Sequence, residues 1–220
     1  LLATLVTRLQ GMASRSGRAE TMVYTKPGNE HLFRDLGYML LGRAPQAVLM
    51  ESSEIRLRRY REEWRKGMDA AVAALPQPAR DAAEQWGVCI INANPFTRGH
   101  QYLIETAARR SGRLVVMVVS EDVSAFTFEE RIEMVRRGTS HIPGVAVVPS
   151  GPYAVSAATF PTYFLKNPSA ASETQMLLDA DVFCRHIAPA LGVTTRFVGS
   201  EPYDALSRAY NDTLREELRR

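Results

Sequence analysis

Gly87-Val-Cys-Ile-Ile-Asn-Ala-Asn-Pro-Phe-Thr-Arg-Gly-His100, continuing into Gln101 to Arg110, is the stretch on which the fold turns. Val88, Cys89, Ile90 and Ile91 form an uninterrupted apolar run of strand length, the pattern of a strand covered on both faces, as in a parallel sheet. Such a strand needs helices above and below it. Asn92, Asn94 and Pro95 then supply turn chemistry, and Gly99 removes a side chain where backbone or ligand must come close. A helix follows at once. Its first-turn N–H groups are unpaired and sit at the positive end of the dipole, so a junction of this kind is a ready phosphate site. His100 falls in that first turn, where it is expected to hydrogen-bond a phosphate or protonate a leaving oxygen. Gly-His taken alone reads as no more than a helix cap.

Downstream, Leu114 to Val119 is a second strand of buried type, ending in Ser120-Glu121-Asp122 at the carboxyl edge where open α/β sheets bind ligands. Thr127 with Glu130 three residues on is a capping box; Phe128, Ile132 and Val135 then give one apolar helix face, and Gly138 is expected to close the helix. Val145 to Val148 gives a third strand. Strands and helices alternating at this spacing predict βαβ units with right-handed crossovers, hence an α/β, Rossmann-like parallel sheet. Tyr153 to Lys166 is less regular. Asp179 to Leu191 is expected as an amphipathic helix with Phe183, Ile187 and Leu191 inward, and Arg196 to Gly199 as the next strand. Tyr210 and Asn211 fall in the last helical stretch.

Upstream of Gly87 the pattern differs. Residues 1–10 carry apolar side chains at helical spacing, with Gly11 expected to end the segment; Thr21 to Thr25, Gly37 to Leu41 and Ala47 to Met50 read as strands, and Asn29 to Leu36 as a short helix. From Ser52 to about Trp86 the chain is charged and helical. Ile55, Tyr60, Trp64, Met68 and Val72 fall on one side, but Glu54, Glu62, Glu63 and Asp69 interrupt the basic run, so a solvated connecting helix is expected, broken at Pro76 and Pro78. The domain boundary is placed within 51–85.

Composition narrows the class. With 220 residues and 45% hydrophobic content the chain supports one core or one and a half, the range of a soluble globular protein. No run approaches a membrane helix and no signal segment opens the chain, so a cytoplasmic protein with no membrane association is expected. Two cysteines, Cys89 and Cys184, give neither a disulfide framework nor a metal spacing, and both are expected to be buried thiols. The net charge is +3, yet residues 87–220 carry 14 basic and 14 acidic side chains, so the excess lies before Gly87. Interspersed charge of this kind is not a nucleic-acid footprint.

Asn94-Pro95-Phe96-Thr97-Arg98-Gly99-His100 resembles the signature of the nucleotidylyltransferase superfamily: a strand, Asn/Asp-Pro-Phe, then His/Thr-x-Gly-His opening a helix. Val119 to Asp122, Phe126 to Arg131, Ala158 to Lys166, and Phe197 to Pro202 with Tyr210-Asn211 together resemble the citrate lyase ligases over most of the chain. The resemblance implies residues 86–220 as a nucleotidylyltransferase-like domain, residues 51–85 as a helical connector, and residues 1–50 as the C-terminal part of a GNAT-like acyltransferase domain, on the Phe33-x-x-x-Gly37-Tyr38 pattern. By the same likeness the chain reads as a fragment shortened at both ends: it opens without Met and stops at Arg220 before the family's second phosphate motif, which is expected to weaken ATP binding and turnover.

The activity implied is ligation. ATP and acetate give acetyl-AMP and pyrophosphate, and the acetyl group passes to the thiol of the prosthetic group on the acyl carrier subunit of citrate lyase. Catalysis would rest on positioning and charge stabilisation, with Mg²⁺ neutralising pyrophosphate. On this resemblance His100, Thr97 and Lys166 are the catalytic candidates. Asn92, Asn94, Pro95, Phe96, Gly99, Gly199, Ser200, Glu201 and Asn211 are the nucleotide-binding ones, with no protein-held metal. Lys166 pairs with a carboxylate or phosphate, or is a surface lysine snorkelling from an element end. Two alternatives stand beside the ligase: a cofactor-forming adenylyltransferase of the phosphopantetheine type, and a nucleotide-binding module without catalysis.

Overall fold

The apolar run after Gly87 becomes an inner strand of a four-stranded parallel sheet. The structure, a computed structural model, describes residues 1–77, 79–80, 85–120, 125–154, 168–200 and 205–218. This sheet is built from β4 (Trp86–Ile91), β5 (Arg113–Val118), β6 (Val145–Pro149) and β7 (Thr195–Phe197), in the order β6-β5-β4-β7. Before it stand α1 (Leu2–Arg15), β1 (Met22–Thr25), α2 (Glu30–Arg34), β2 (Met39–Arg43), β3 (Val48–Glu51) and α3 (Ile55–Ala73). Strands β1, β3 and β2 form a separate antiparallel sheet in that order. The remaining helices are α4 (Arg98–Ser111), α5 (Phe128–Thr139), α6 (Pro168–Val182), α7 (Ala188–Leu191) and α8 (Ala205–Glu217), with a π-helical turn, Phe183–Ile187, joining α6 to α7.

Side-chain alternation along β5 shows how both faces are covered. Leu114, Val116 and Val118 point into a core shared with Ile104 and Ala107 of α4 and with Ile132 and Val135 of α5. Val115 and Met117 point the opposite way, into a core with Trp64 of α3, Leu178 and Val182 of α6, and Phe183 and Ile187. The second core also takes in Leu41, Ala47 and Leu49, so the antiparallel sheet and the parallel sheet share one hydrophobic interior. Gly42 of β2 lies so close to α6 that a Cβ there would stand 2.6 Å from Val182 Cγ2. A buried polar cluster adds to this junction: Arg56 of α3 bonds Glu51 at the end of β3, and Tyr153 beyond β6 donates to the same carboxylate at 3.0 Å.

The charged helix after Ser52 is therefore not a solvated connector. Helix α3 packs along β6, with Leu57 and Trp64 buried and the Trp64 indole N–H donating to the Pro149 carbonyl at 2.8 Å. Its inward stripe begins at Leu57, while Ile55 is 52% exposed. The acidic residues that interrupt the basic run mark the outer face, and the periodicity of the inner one was the stronger signal. Trp64→Ala should cost about 3–5 kcal/mol through lost burial and a residual cavity, read as a lowered urea midpoint.

Three local expectations are corrected. Gly11 does not end α1, which continues to Arg15; packing of Val6 against the antiparallel sheet outweighs the modest helix penalty of one glycine. Gly138 does not close α5, which runs on to Thr139. Cys184 is exposed, whereas Cys89 is fully buried and its thiol is pushed up to about 12 by that burial. A thiol reagent at neutral pH should thus modify Cys184 in the native chain and reach Cys89 only on unfolding, a difference mass spectrometry reads directly. No helix among the described residues is long and apolar enough to cross a membrane.

Candidate functional site

The turn between β4 and α4 is held from its own residues outward. Ala93 is buried with φ of 52°, a conformation L-residues seldom adopt, and the Asn94-Pro95 peptide is cis. Asn92 accepts from Arg131 Nη1 through both its carbonyl (2.8 Å) and its side-chain oxygen (2.9 Å), and Asn94 Oδ1 accepts the Phe126 N–H at 3.3 Å. Thr97 is the N-cap of α4, with extended backbone and its hydroxyl accepting from the His100 N–H. His100 closes a reciprocal box: its Nδ1 accepts the Thr97 N–H at 3.1 Å, taking the place usually held by Glu or Gln. A backbone N–H only donates, so Nδ1 is the acceptor and a neutral ring carries its proton on Nε2. The Phe96 ring stacks on the imidazole at 5.8 Å and 21°.

On the far side of β4 lies β7. The strand order reverses between these two, and at such a switch point a crevice opens beyond the carboxyl ends of the strands. A cleft of about 710 Å³ occupies that position, in the size range of small-molecule sites. Thr97, Gly99 and His100 line one wall, Phe197 to Ser200 the other, and Tyr102, Thr106 and Arg110 extend it along α4. Two grooves of comparable volume, about 680 and 630 Å³, run along α3 towards the amino ends of β6 and β5, away from this helix start.

The β7 wall is braced from behind. Asn211 of α8 is buried and donates its amide to the Gly199 carbonyl at 2.6 Å. Arg196 of β7 donates to Asp179 of α6 at 3.3 Å and to the Tyr210 hydroxyl at 2.7 Å, while Tyr210 donates to Asp179. The Arg196 guanidinium also lies 4.8 Å over the Phe183 ring. Burial and the Asp179 carboxylate push the Tyr210 phenol well above its ordinary range, so it remains a neutral donor.

Of the residues singled out by sequence, Thr97, Gly99, His100, Gly199 and Ser200 meet in one cleft. Asn92, Asn94, Phe96 and Asn211 support it from behind, and Pro95 lies exposed in the turn. Lys166 and Glu201 lie outside the described residues. Arg131 is not among the site candidates that the sequence offers, although it ends the Phe126 to Arg131 stretch; it is fully buried. Besides Asn92 it donates to the carbonyls of Val119 (2.8 Å) and Phe126 (3.2 Å), clasping the ends of β4 and β5 to the start of α5. Its signal was available: Arg131 stands three residues after Phe128 and four before Val135, on the inward face of an amphipathic helix. Among the described residues no group of three or more histidines, cysteines or carboxylates is placed to hold a metal.

Comparison with known proteins shows the family. The chain is 39% identical to the citrate (pro-3S)-lyase ligase of Escherichia coli (strain K12), over 98% of this chain and 58% of the relative. It is 38% identical to that of Klebsiella pneumoniae, over 97% of this chain and 59% of the relative. The chain thus spans somewhat under two thirds of the length of these relatives. A shorter likeness, 45% identity over 62 residues, relates it to a phosphopantetheine adenylyltransferase of Symbiobacterium thermophilum, covering 27% of this chain and 38% of the relative. The sequence profile described as the citrate lyase ligase C-terminal domain matches residues 86–220, the parallel sheet with its cleft and bracing helices, and the chain belongs to that family.

Proposed function

We propose that this chain carries the nucleotide-activating site of an ATP-dependent acid-thiol ligase that acetylates citrate lyase. The observation that carries the reading is the fixed imidazole in the first turn of α4, facing a cleft at the sheet's switch point. In the reaction proposed, an acetate oxygen attacks the α-phosphorus of ATP, and the bond to the bridging oxygen breaks to release pyrophosphate. The thiolate of the acyl carrier's prosthetic group then attacks the acetyl carbonyl. The thioester forms, AMP leaves, and the thiol proton goes to solvent.

Each residue has a defined part in this proposal. The Arg98 and Gly99 N–H groups at the start of α4 face the phosphates, with the dipole favouring negative charge there. His100 donates from Nε2 to a phosphate oxygen, and Thr97 fixes the tautomer that makes this possible. Gly199, Ser200 and Glu201 take the nucleoside side, and Lys166 pairs with a carboxylate or phosphate on the acceptor side. A magnesium ion carried in on the ATP phosphates would supply the charge neutralisation that the departing pyrophosphate needs. Residues 1–50 are proposed to correspond to the C-terminal part of a GNAT-like domain, and the cytoplasm is the proposed location.

The fate of AMP tests the proposal. A carboxylate acceptor gives a mixed anhydride that a thiol cleaves, liberating AMP; a phosphate acceptor retains the adenylyl group in a stable linkage. With ATP, Mg²⁺, acetate and deacetylated citrate lyase, free AMP and an acetylated carrier subunit are expected, read by mass spectrometry. An unmodified carrier, together with adenylylated phosphopantetheine when that acceptor is supplied, would instead support the reading suggested by the phosphopantetheine adenylyltransferase likeness. Neither product would leave a nucleotide-binding module. Asn211→Ala should weaken ATP binding about fivefold, the worth of one hydrogen bond that orders the Gly199 wall, with calorimetry as the measure.

A further inference from the structure

Gly138 occupies the last turn of α5, where alanine is the better helix former and no left-handed backbone calls for glycine. The reason for its presence lies across the packing interface. A Cβ built at Gly138 would stand 2.3 Å from Phe96 Cε1, 2.8 Å from Cδ1 and 3.1 Å from Cζ. Carbon atoms pack at about 3.5–4.0 Å, so a methyl group there forces the ring away by roughly 1 Å. Phe96 cannot yield alone, because its ring also stacks on His100 at 5.8 Å and 21°. The imidazole is thus fixed in two ways: Thr97 holds its Nδ1, and Phe96, seated in the notch at Gly138, backs its face.

We propose that Gly138 is a positioning residue for His100, acting through the ring of Phe96. The inference deepens the proposed function, since it rests on His100 meeting a phosphate. It explains why a helix that could have used alanine leaves a gap under the motif's phenylalanine, and it joins the second helix of the sheet to the phosphate-facing start of the first. A displacement near 1 Å in a positioning group can cost on the order of a hundredfold in rate.

The test is a double-mutant cycle on this chain with Gly138→Ala, Phe96→Val and the pair together. Valine ends at Cγ and lacks all three ring atoms that crowd position 138, so the double variant removes the clash and remains interpretable if Gly138→Ala alone folds poorly. Two readouts are needed: the ring ¹⁵N and ¹H shifts of His100, assigned by their loss in His100→Gln, and ATP affinity by calorimetry with Mg²⁺ present. Gly138→Ala is expected to move the His100 ring signals and weaken ATP about tenfold, while in the Phe96→Val background the same change moves neither. His100 signals unchanged in Gly138→Ala, or shifted equally in both backgrounds, overturn the proposal. Shifted signals with unaltered ATP affinity uphold the positioning and count instead against the phosphate role of His100.

Discussion

Arg131→Ala is expected to lower stability by about 3–5 kcal/mol, a large share of the roughly 5–15 kcal/mol that holds an ordinary domain together. The guanidinium is fully buried and donates to the carbonyls of Asn92, Val119 and Phe126 and to Asn92 Oδ1. Removing it leaves three backbone acceptors at partly buried positions without this donor and opens a cavity beside Phe128, over whose ring the guanidinium lies. Lysine keeps the charge but not the planar fork, and one ammonium cannot replace donors spread from Nε to Nη1. Arg131→Lys should therefore recover less than half of the loss. Urea midpoints for the two variants decide the matter: a loss under about 1 kcal/mol for Arg131→Ala would show that the clasp is not structural.

The layout of the parallel sheet was legible because its strands are covered on both faces and so appear as unbroken apolar runs; Val88 to Ile91 and Leu114 to Val118 have few other readings. Capping chemistry was equally plain, and the Thr127 and Glu130 box stands as expected. What misled was punctuation and charge. Backbone freedom at Gly11 and Gly138 suggests two helix stops, yet one lies within a helix held by packing and the other makes room for an aromatic ring. The charge of α3 concealed a helix that covers the parallel sheet, because binary pattern gives a direction of burial without naming the partner.

The site was legible to the extent that it is local. Thr97, Gly99 and His100 are adjacent in sequence, and a strand, turn and helix in succession fix their geometry. The β7 wall came from a second stretch whose position beside β4 follows only from the crossover topology. Supporting contacts were out of reach for a different reason. That Asn211 holds the Gly199 carbonyl, or that Arg196, Asp179 and Tyr210 form one buried network, depends on how α6 and α8 pack, and no spacing encodes it.

His100 is the residue whose replacement should most affect turnover. If the chain runs the proposed reaction, His100→Ala is expected to reduce acetate-dependent AMP formation about a hundredfold or more, the usual cost of losing one donor aimed at developing charge. The side chain is partly exposed at a helix start, so stability should fall by no more than about 1 kcal/mol, the value of a cap. Alanine removes two functions together, since His100 also closes the capping box with Thr97. Glutamine separates them: at this third helical position it is an ordinary capping-box residue able to accept the Thr97 N–H, yet it has no ring nitrogen to present to a phosphate. His100→Gln should therefore restore the thermal midpoint while leaving turnover as low as in alanine. Near wild-type turnover in His100→Gln would reduce His100 to a cap and move the phosphate contact to the backbone donors of α4.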